Sequence, residues 1–369
     1  MKWPCIRCKA GLLTGLTAIL CLSAAVLGQD AKKQLLPAST RLLQRPAADE
    51  TIKSINDEYS QQVQALERRR LERLERLAAR QNLADAAATY EQLFRLAAAA
   101  NIYADAEQAA DTVVKTGSPA VLTRALAHLV KVIAAADRGA FEQSLESLKL
   151  AVAEKTQAAQ TGPPSAQLST TEIVAICDAY YQRLIQGVQY ERAKKAIQVL
   201  LASTQNSILK AFLSSRLTRL EQIGKPAPAI SGTDLDGKPF NLTDAKGKVV
   251  LVVFWASWSL PSGAEIDSLQ EVAELYRAQG FQIVGINLDT LQDDGNNLAT
   301  VMPNIRHFLL DHNVRWPTLV NGQGDKDYAK AYGITEIPAN IVVGRDGTVT
   351  HIDLVTKNFE AMIGQAVRQ

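Results

Sequence analysis

The sequence predicts two dissimilar parts, an all-α region of helical hairpins followed by an α/β domain on a partly parallel sheet. Three observations predict it. Across residues 51–222 apolar side chains recur every three or four positions on an Ala-rich background, the period of amphipathic helices. Val249–Trp255 is instead an unbroken apolar, β-branched run, too short to span a membrane, that breaks at Ser259-Leu260-Pro261-Ser262 into a helix-forming segment. A second such run at 281–288 follows, and strand, helix, strand at this spacing argues for a right-handed βαβ unit with parallel pairing.

At the N-terminus Lys2, Arg7 and Lys9 precede an apolar stretch at 11–26 and then small residues. That order is a secretory signal, with cleavage expected before Gln29. The stretch is shorter than the ~20 residues a retained span needs. Lipid attachment at Cys21 is disfavoured by bulky Leu20. Residues 29–50 mix Lys, Gln, Pro and Ala without a period and read as a linker. Loss of 1–28 removes Cys5, Cys8 and Cys21 and leaves Cys177, so no intrachain disulfide is expected. With 47% hydrophobic residues and a formal charge of +2, the chain has material for two cores and no basic excess pointing to nucleic acid.

From Thr51 onward Ile55, Tyr59, Val63, Leu66, Leu74 and Leu77 give a helix one apolar side. Arg68, Arg69, Arg70 and Arg73 interleave with Glu67, Glu72 and Glu75, which reads as a solvated face rather than a nucleic-acid contact. Further on, Gly117 suits a left-handed helix end, Ser118 an N-cap and Pro119 a first helical turn. Asp137-Arg138-Gly139 punctuates again, and residues 161–165 form a linker or exposed loop. Tyr103, Phe141 and Tyr190 each open a helix and are followed by small residues, a pattern that resembles the second helix of tetratricopeptide repeats. The aromatics lie ~38 and ~49 residues apart, against ~34 in such repeats, so the resemblance implies stacked hairpins more than a regular array. Ile173, Ile176, Cys177, Tyr180, Tyr181, Leu184 and Ile185 make a helical stripe. It places Cys177 in a core as a small hydrophobe, the competing reading being a reactive or partner-linking thiol.

Pro226 and Pro228 end the helical region. Residues 234–240 read as a hairpin turn between short strands. A helix is expected over 265–279, ended by Gly280. Residues 292–304 are polar and rich in Gly and Asn, so a loop is expected, either a cleft rim or a passive excursion. Residues 325–332 form a short helix, Ile341-Val342-Val343 a strand, Arg345-Asp346-Gly347-Thr348 a turn into the last strand, and 358–369 a final helix.

Trp255-Ala256-Ser257-Trp258-Ser259-Leu260-Pro261-Ser262, with Glu265 three residues on, resembles the active-site strand and helix of thioredoxin-like proteins of the TlpA/ResA branch. There the motif is Trp-Ala-x-Trp-Cys-x-Pro-Cys. Trp255, Ala256, Trp258, Pro261 and Glu265 match, whereas Ser259 and Ser262 stand at both cysteine positions. The resemblance covers residues 223–369. It implies a thioredoxin fold, a cis proline at Pro338 facing the turn, a backbone at Ile337 able to pair with an extended peptide, and a family activity of thiol-disulfide exchange or peroxiredoxin-like reduction.

Serine does not supply that chemistry. A helix N-terminus favours an anion by at most ~2 kcal/mol, enough to activate a thiol and far too little to ionise an alcohol. Disulfide exchange passes through a mixed disulfide and needs sulfur itself. A seryl nucleophile needs a neighbouring base, and His307, His312 and His351 are expected away from the turn. Ser259 is therefore expected to act as a helix cap. Glu265 stands as either a partly buried carboxylate that binds a cationic or hydrogen-bonding group, or an ordinary helix-face charge. Taken together, the residues call for a signal peptide at 1–28, a linker at 29–50, a helical domain at 51–222 and a thioredoxin-like domain at 223–369. The functional expectation is an exported binding or scaffold protein with a degenerate redox site at Ser259 and Ser262. Its groove would be formed by Trp258, Pro261, Glu265, Ile337 and Pro338, with a protein or peptide partner in the cell envelope, no metal, no cofactor and no membrane span after processing. The alternative is an oxidoreductase of the TlpA/ResA or peroxiredoxin-like type.

Overall fold

The computed structural model describes residues 51–118, 120–161, 168–292, 297–322 and 326–368. The signal at 1–28, the linker at 29–50, Pro119 and all but the first residue of the 161–165 loop lie outside the described residues. The chain divides into two compact units, residues 1–70 and 71–369. Of the first, the described part is 51–70, the front of helix α1 (Ile52–Ala78). The charges there are solvated as expected, Arg70 and Glu67 pairing at 3.6 Å with both side chains accessible. The apolar side is exposed as well, at Ile55, Tyr59 and Leu66. The periodicity foretold the helix but not a buried face.

In the second unit Leu71 and Ala78 at the end of α1 are buried. Helix α2 (Leu83–Ala99) starts at Asn82, whose side chain accepts from the N–H groups of Ala84 and Asp85. A 3-10 turn at Tyr103–Ala106 leads into α3 (Glu107–Thr116), followed by α4 (Val121–Asp137), α5 (Phe141–Thr161), α6 (Thr170–Gln186), α7 (Tyr190–Ser203) and α8 (Ser207–Leu220). Helix α4 packs against α2, α3, α5 and α6. Its buried alanines at 125, 127, 134, 135 and 136 allow that close approach. Gly117 ends α3 in the left-handed conformation, as its sequence predicts. Ser118 does not cap α4. Ala120 holds that position without a side-chain bond, because a capping oxygen must reach the first free N–H groups and Ser118 lies two residues too early. Cys177 is half-buried rather than enclosed, lining a small cavity with Tyr181, Leu184 and Arg216.

The turn after α6 carries an unusual backbone. A side chain on Gly187 would stand 2.8 Å from Cζ of Phe141, so glycine is held there by packing. The left-handed turn is left to Val188, at φ 55° and 49% exposed. That conformation costs an ordinary residue about 1–2 kcal/mol, against about 0.5–1 kcal/mol of extra chain entropy for glycine. Val188→Gly is therefore expected to stabilise the fold by about 0.5–1 kcal/mol, read as a raised urea midpoint at constant slope.

The rest of the unit is α/β. Strands β1 (Ser231–Thr233) and β2 (Pro239–Asn241) form the expected hairpin. Strands β3 (Val249–Trp255), β4 (Phe281–Asn287), β5 (Thr318–Val320), β6 (Ala339–Val343) and β7 (Val349–Ile352) form one sheet in the order β5-β4-β3-β6-β7. Strand β3 is buried at every residue, which explains its unbroken apolar sequence. It runs parallel to β4 and antiparallel to β6. Helix α9 (Leu260–Tyr276) begins five residues earlier than the sequence reading placed it. Residues 298–304 are not a loop but the front of helix α10 (Leu298–Asp311). Asn297 and Thr300 close a capping box there, and Val301, Ile305 and Phe308 supply the buried stripe that the polar lead-in obscured. Helices α11 (Tyr328–Tyr332) and α12 (Phe359–Arg368) complete the domain, the latter packing Phe359 and Ile363 into the core under β3. Among the described residues no helix is long and apolar enough to cross a membrane.

Candidate functional site

Topology gathers the site at one end of the sheet. Pairing of Phe254 with Ala339 sets the end of β3 beside the start of β6, so the turn after Trp255 and the segment before Ala339 share a rim. Ile337 and Pro338 are joined by a cis bond, as the family resemblance implied. The turn itself is held from below. Asp289 is buried and accepts from the Ser257 N–H at 2.8 Å, from the Ser257 hydroxyl, and from Nδ2 of Asn287 at 2.9 Å.

Ser259 is the N-cap of α9. Its Oγ accepts from the Ser262 N–H at 3.3 Å, and its carbonyl accepts from the same N–H at 3.0 Å. Ser262 is fully buried and its hydroxyl has no hydrogen-bond partner among the described residues. A hydroxyl left so costs about 1–3 kcal/mol, whereas a thiol, a weak donor, loses little there. The slot thus fits sulfur better than oxygen. Trp258, Leu260 and Pro261 are exposed, Leu260 at 83%, and make an apolar knob at the mouth. Ile337 is buried and Pro338 half-buried.

Glu265 is not an ordinary helix-face charge. It is 8% exposed and accepts from Nδ2 of Asn340 at 3.1 Å. Asn340 in turn binds the Leu354 backbone in both directions, donating at 2.9 Å and accepting at 2.8 Å. The carboxylate is therefore tied into the start of β6 and points inward, away from the exposed knob.

The expectation that every histidine lies away from the turn does not hold. His312, just past α10, packs on the first turn of α9. A Cβ built on Gly263 would lie 2.9 Å from its Cε1 and 3.2 Å from its Nε2. Nδ1 of His312 is 2.6 Å from Asp267, and the ring packs at a tilt against Phe308 at 4.2 Å, which stacks in turn on Trp255 at 4.5 Å. The missing side chain at Gly263 makes the room. Neither serine hydroxyl bonds to this imidazole, so the Asp267–His312 pair lies beside the serines without activating either. His351, by contrast, is buried on β7, and burial pushes its imidazole below the ordinary range. His307 is exposed, paired with Asp311 at 3.1 Å. Among the described residues no cluster of His, Cys, Asp or Glu could hold a metal ion.

Residues 223–352 match the AhpC/TSA family model. The thiol-disulfide oxidoreductase ResA of Bacillus thuringiensis (strain Al Hakam) is 30% identical over 128 residues, which cover 35% of this chain and 67% of that protein. ResA of Bacillus subtilis (strain 168) is 25% identical over 154 residues, covering 42% of this chain and 78% of its own. A solved thioredoxin domain of a thiol-disulfide oxidoreductase from Bacteroides vulgatus is 25% identical, with a TM-score of 0.35, covering 39% of this chain and 97% of that one. Through its C-terminal thioredoxin-like domain, the chain belongs to the AhpC/TSA family and is a relative of the ResA thiol-disulfide oxidoreductases.

Proposed function

We propose that this protein is an exported, non-redox member of its family, a binding or scaffold protein of the cell envelope that uses a thioredoxin-like groove joined to a helical interaction domain. The observation that carries the reading is the pair Ser259 and Ser262, one spent on capping α9 and the other buried without a base in contact. Export is supported by the charged, apolar and small-residue order of 1–28. The groove we assign to Trp258, Pro261, Ile337 and Pro338, with Glu265 shaping it from behind through Asn340. An extended peptide laid against Ile337 would pair through its backbone, and the exposed knob would take its apolar side chains. The family relationship favours a second reading, a thiol-disulfide oxidoreductase or peroxiredoxin-like enzyme, and one assay separates the two. With insulin and dithiothreitol the protein should add nothing to the reagent's own rate of reduction. Clear acceleration would establish the enzyme. In parallel, a short fluorescein-labelled peptide of alternating valine and serine should give a saturable anisotropy rise, weakened at least about tenfold in Trp258→Ala. No saturable rise with the parent protein would remove the groove from the proposal.

A further inference from the structure

Helix α8 closes on the segment between α11 and β6 that precedes Pro338. Ser215 Oγ donates to the Gly333 carbonyl at 2.8 Å, and Nη1 of Arg219 donates to the same oxygen at 2.9 Å. Arg216 pairs with Glu336, and Arg219 Nη2 lies 3.8 Å from that carboxylate. Gln222 reaches the Ala331 carbonyl at 3.4 Å. The approach is so close that a side chain on Gly333 would stand 2.7 Å from Cγ2 of Thr218. Within its own domain the segment buries Ile334 and Ile337, and α11, a five-residue helix, is tied to Gly333 and Ile334 by two turn bonds.

Arg216 itself is held from the helical side, by Asp178 at 2.7 Å and between the rings of Phe212 and Tyr181 at 4.5 and 5.0 Å. Arg219 is fully buried and anchored to Asp353 at 2.9 Å. These arginines are more than surface ion pairs, which contribute little. They are fixed points, and what they fix is the residue immediately before Ile337.

We infer that Ser215, Arg216 and Arg219 of the helical region are positioning residues for the ligand-facing segment 333–338, so that the groove is completed by the helical region. The inference deepens the groove reading above and rests on it only for its link to ligand binding. A plain structural role would loosen the whole domain when the contact is cut. A positioning role loosens one segment.

The test uses the full chain carrying Glu336→Gln, Ser215→Ala, Arg216→Glu, and Arg216→Glu combined with Glu336→Arg. Hydrogen–deuterium exchange is read over 331–338 and over β3 and β4. Glu336→Gln and Ser215→Ala should speed exchange at 331–338 at least about tenfold with β3 and β4 unchanged, a local opening rather than a global one. The reversed pair should restore most of the protection lost in Arg216→Glu alone. Exchange that rises everywhere in step with global stability, or not at all in Glu336→Gln and Ser215→Ala, overturns the inference, whatever Arg216→Glu does to folding. The labelled peptide adds the functional arm. Its affinity for Glu336→Gln should fall at least about tenfold, and undiminished affinity would overturn the link to binding. If the parent binds no peptide, the groove reading fails, while the exchange data still decide whether α8 positions the segment.

Discussion

Replacing both serines, Ser259→Cys with Ser262→Cys, is expected to give a variant that reduces insulin well above the dithiothreitol background, an activity that the proposed non-redox reading denies the parent. Residue 259 is the N-cap of α9, where the helix terminus favours a thiolate by up to ~2 kcal/mol. His312, from the end of α10, packs on Gly263 one turn along α9, with its Nδ1 engaged by Asp267. Residue 262 is enclosed and its hydroxyl has no partner among the described residues, a slot in which a weak donor is at less of a loss than an alcohol. The residue 259 thiol should therefore titrate well below a free cysteine, and alkylation rate against pH reads it directly. If the variant folds yet its thiols titrate like free cysteine and insulin is untouched, the turn does not have the poise ascribed to it. The single variant Ser262→Cys should fold and remain inactive, since exchange by a lone enclosed thiol has no attacking partner.

The second large effect is expected at Arg219→Met. Arg219 is fully buried, and its loss leaves Asp353 enclosed with Tyr181 donating to it at 2.6 Å but without its closest counter-charge. Breaking a buried pair on one side costs about 3–5 kcal/mol, whereas removing both partners costs less, so Arg219→Met with Asp353→Asn should regain a good part of the loss. The pH dependence gives an independent sign. Burial alone would raise the Asp353 carboxyl, but the charges of Arg219 and Arg216 and the Tyr181 hydroxyl outweigh it and hold the group below its ordinary 3.8. The folded parent thus releases this proton more readily than the unfolded chain. Its contribution is complete above the ordinary carboxylate range and is lost as pH falls through the lowered folded value. With Arg219 gone the imbalance reverses, and protonation relieves the buried charge. The stability gap between Arg219→Met and the parent should therefore narrow as pH drops from 7 to about 4, as read from urea midpoints. A gap constant with pH would mean that lost packing, not charge, dominates.

These two sites differ in how far the sequence disclosed them. Val249–Trp255 and the turn after it were legible because a strand buried on both faces must be apolar throughout, and because Trp258, Pro261 and Glu265 keep a recognisable spacing. The cap role of Ser259 followed from local chemistry alone. His312 was not legible. It meets Asp267 across 45 positions, through the packing of α10 on α9, and α10 was itself hidden behind a polar lead-in that turned out to be its cap. A glycine at 263 in the first turn of a helix was the available signal, since it vacates space that some other group must use. Arg219 and Asp353 are 134 positions apart. A periodic pattern tells which face of a helix is apolar, but an arginine near the end of α8 looks the same whether it ends in water or in a buried pair.

The residues that join the helical region to the sheet have a consequence for how other chains can approach. Ile223 and Pro226 bridge to Val349 and Thr348, with Gly224 donating to Val349 at 2.8 Å and Val349 donating to Lys225 at 2.9 Å, so this connection borders β7 as a partial extra strand. At the opposite margin β5 is only three residues long, and Leu235 from the hairpin turn donates to Thr318 at 2.9 Å. Both margins of the sheet are thus partly occupied by the chain's own backbone. An unprotected margin would invite strand exchange between neighbouring molecules, the usual route to fibrils and swapped dimers. Here the connection serves as a selvedge that keeps the fabric from being extended, and on the proposed groove reading it leaves the segment before Pro338 for main-chain recognition of a foreign peptide.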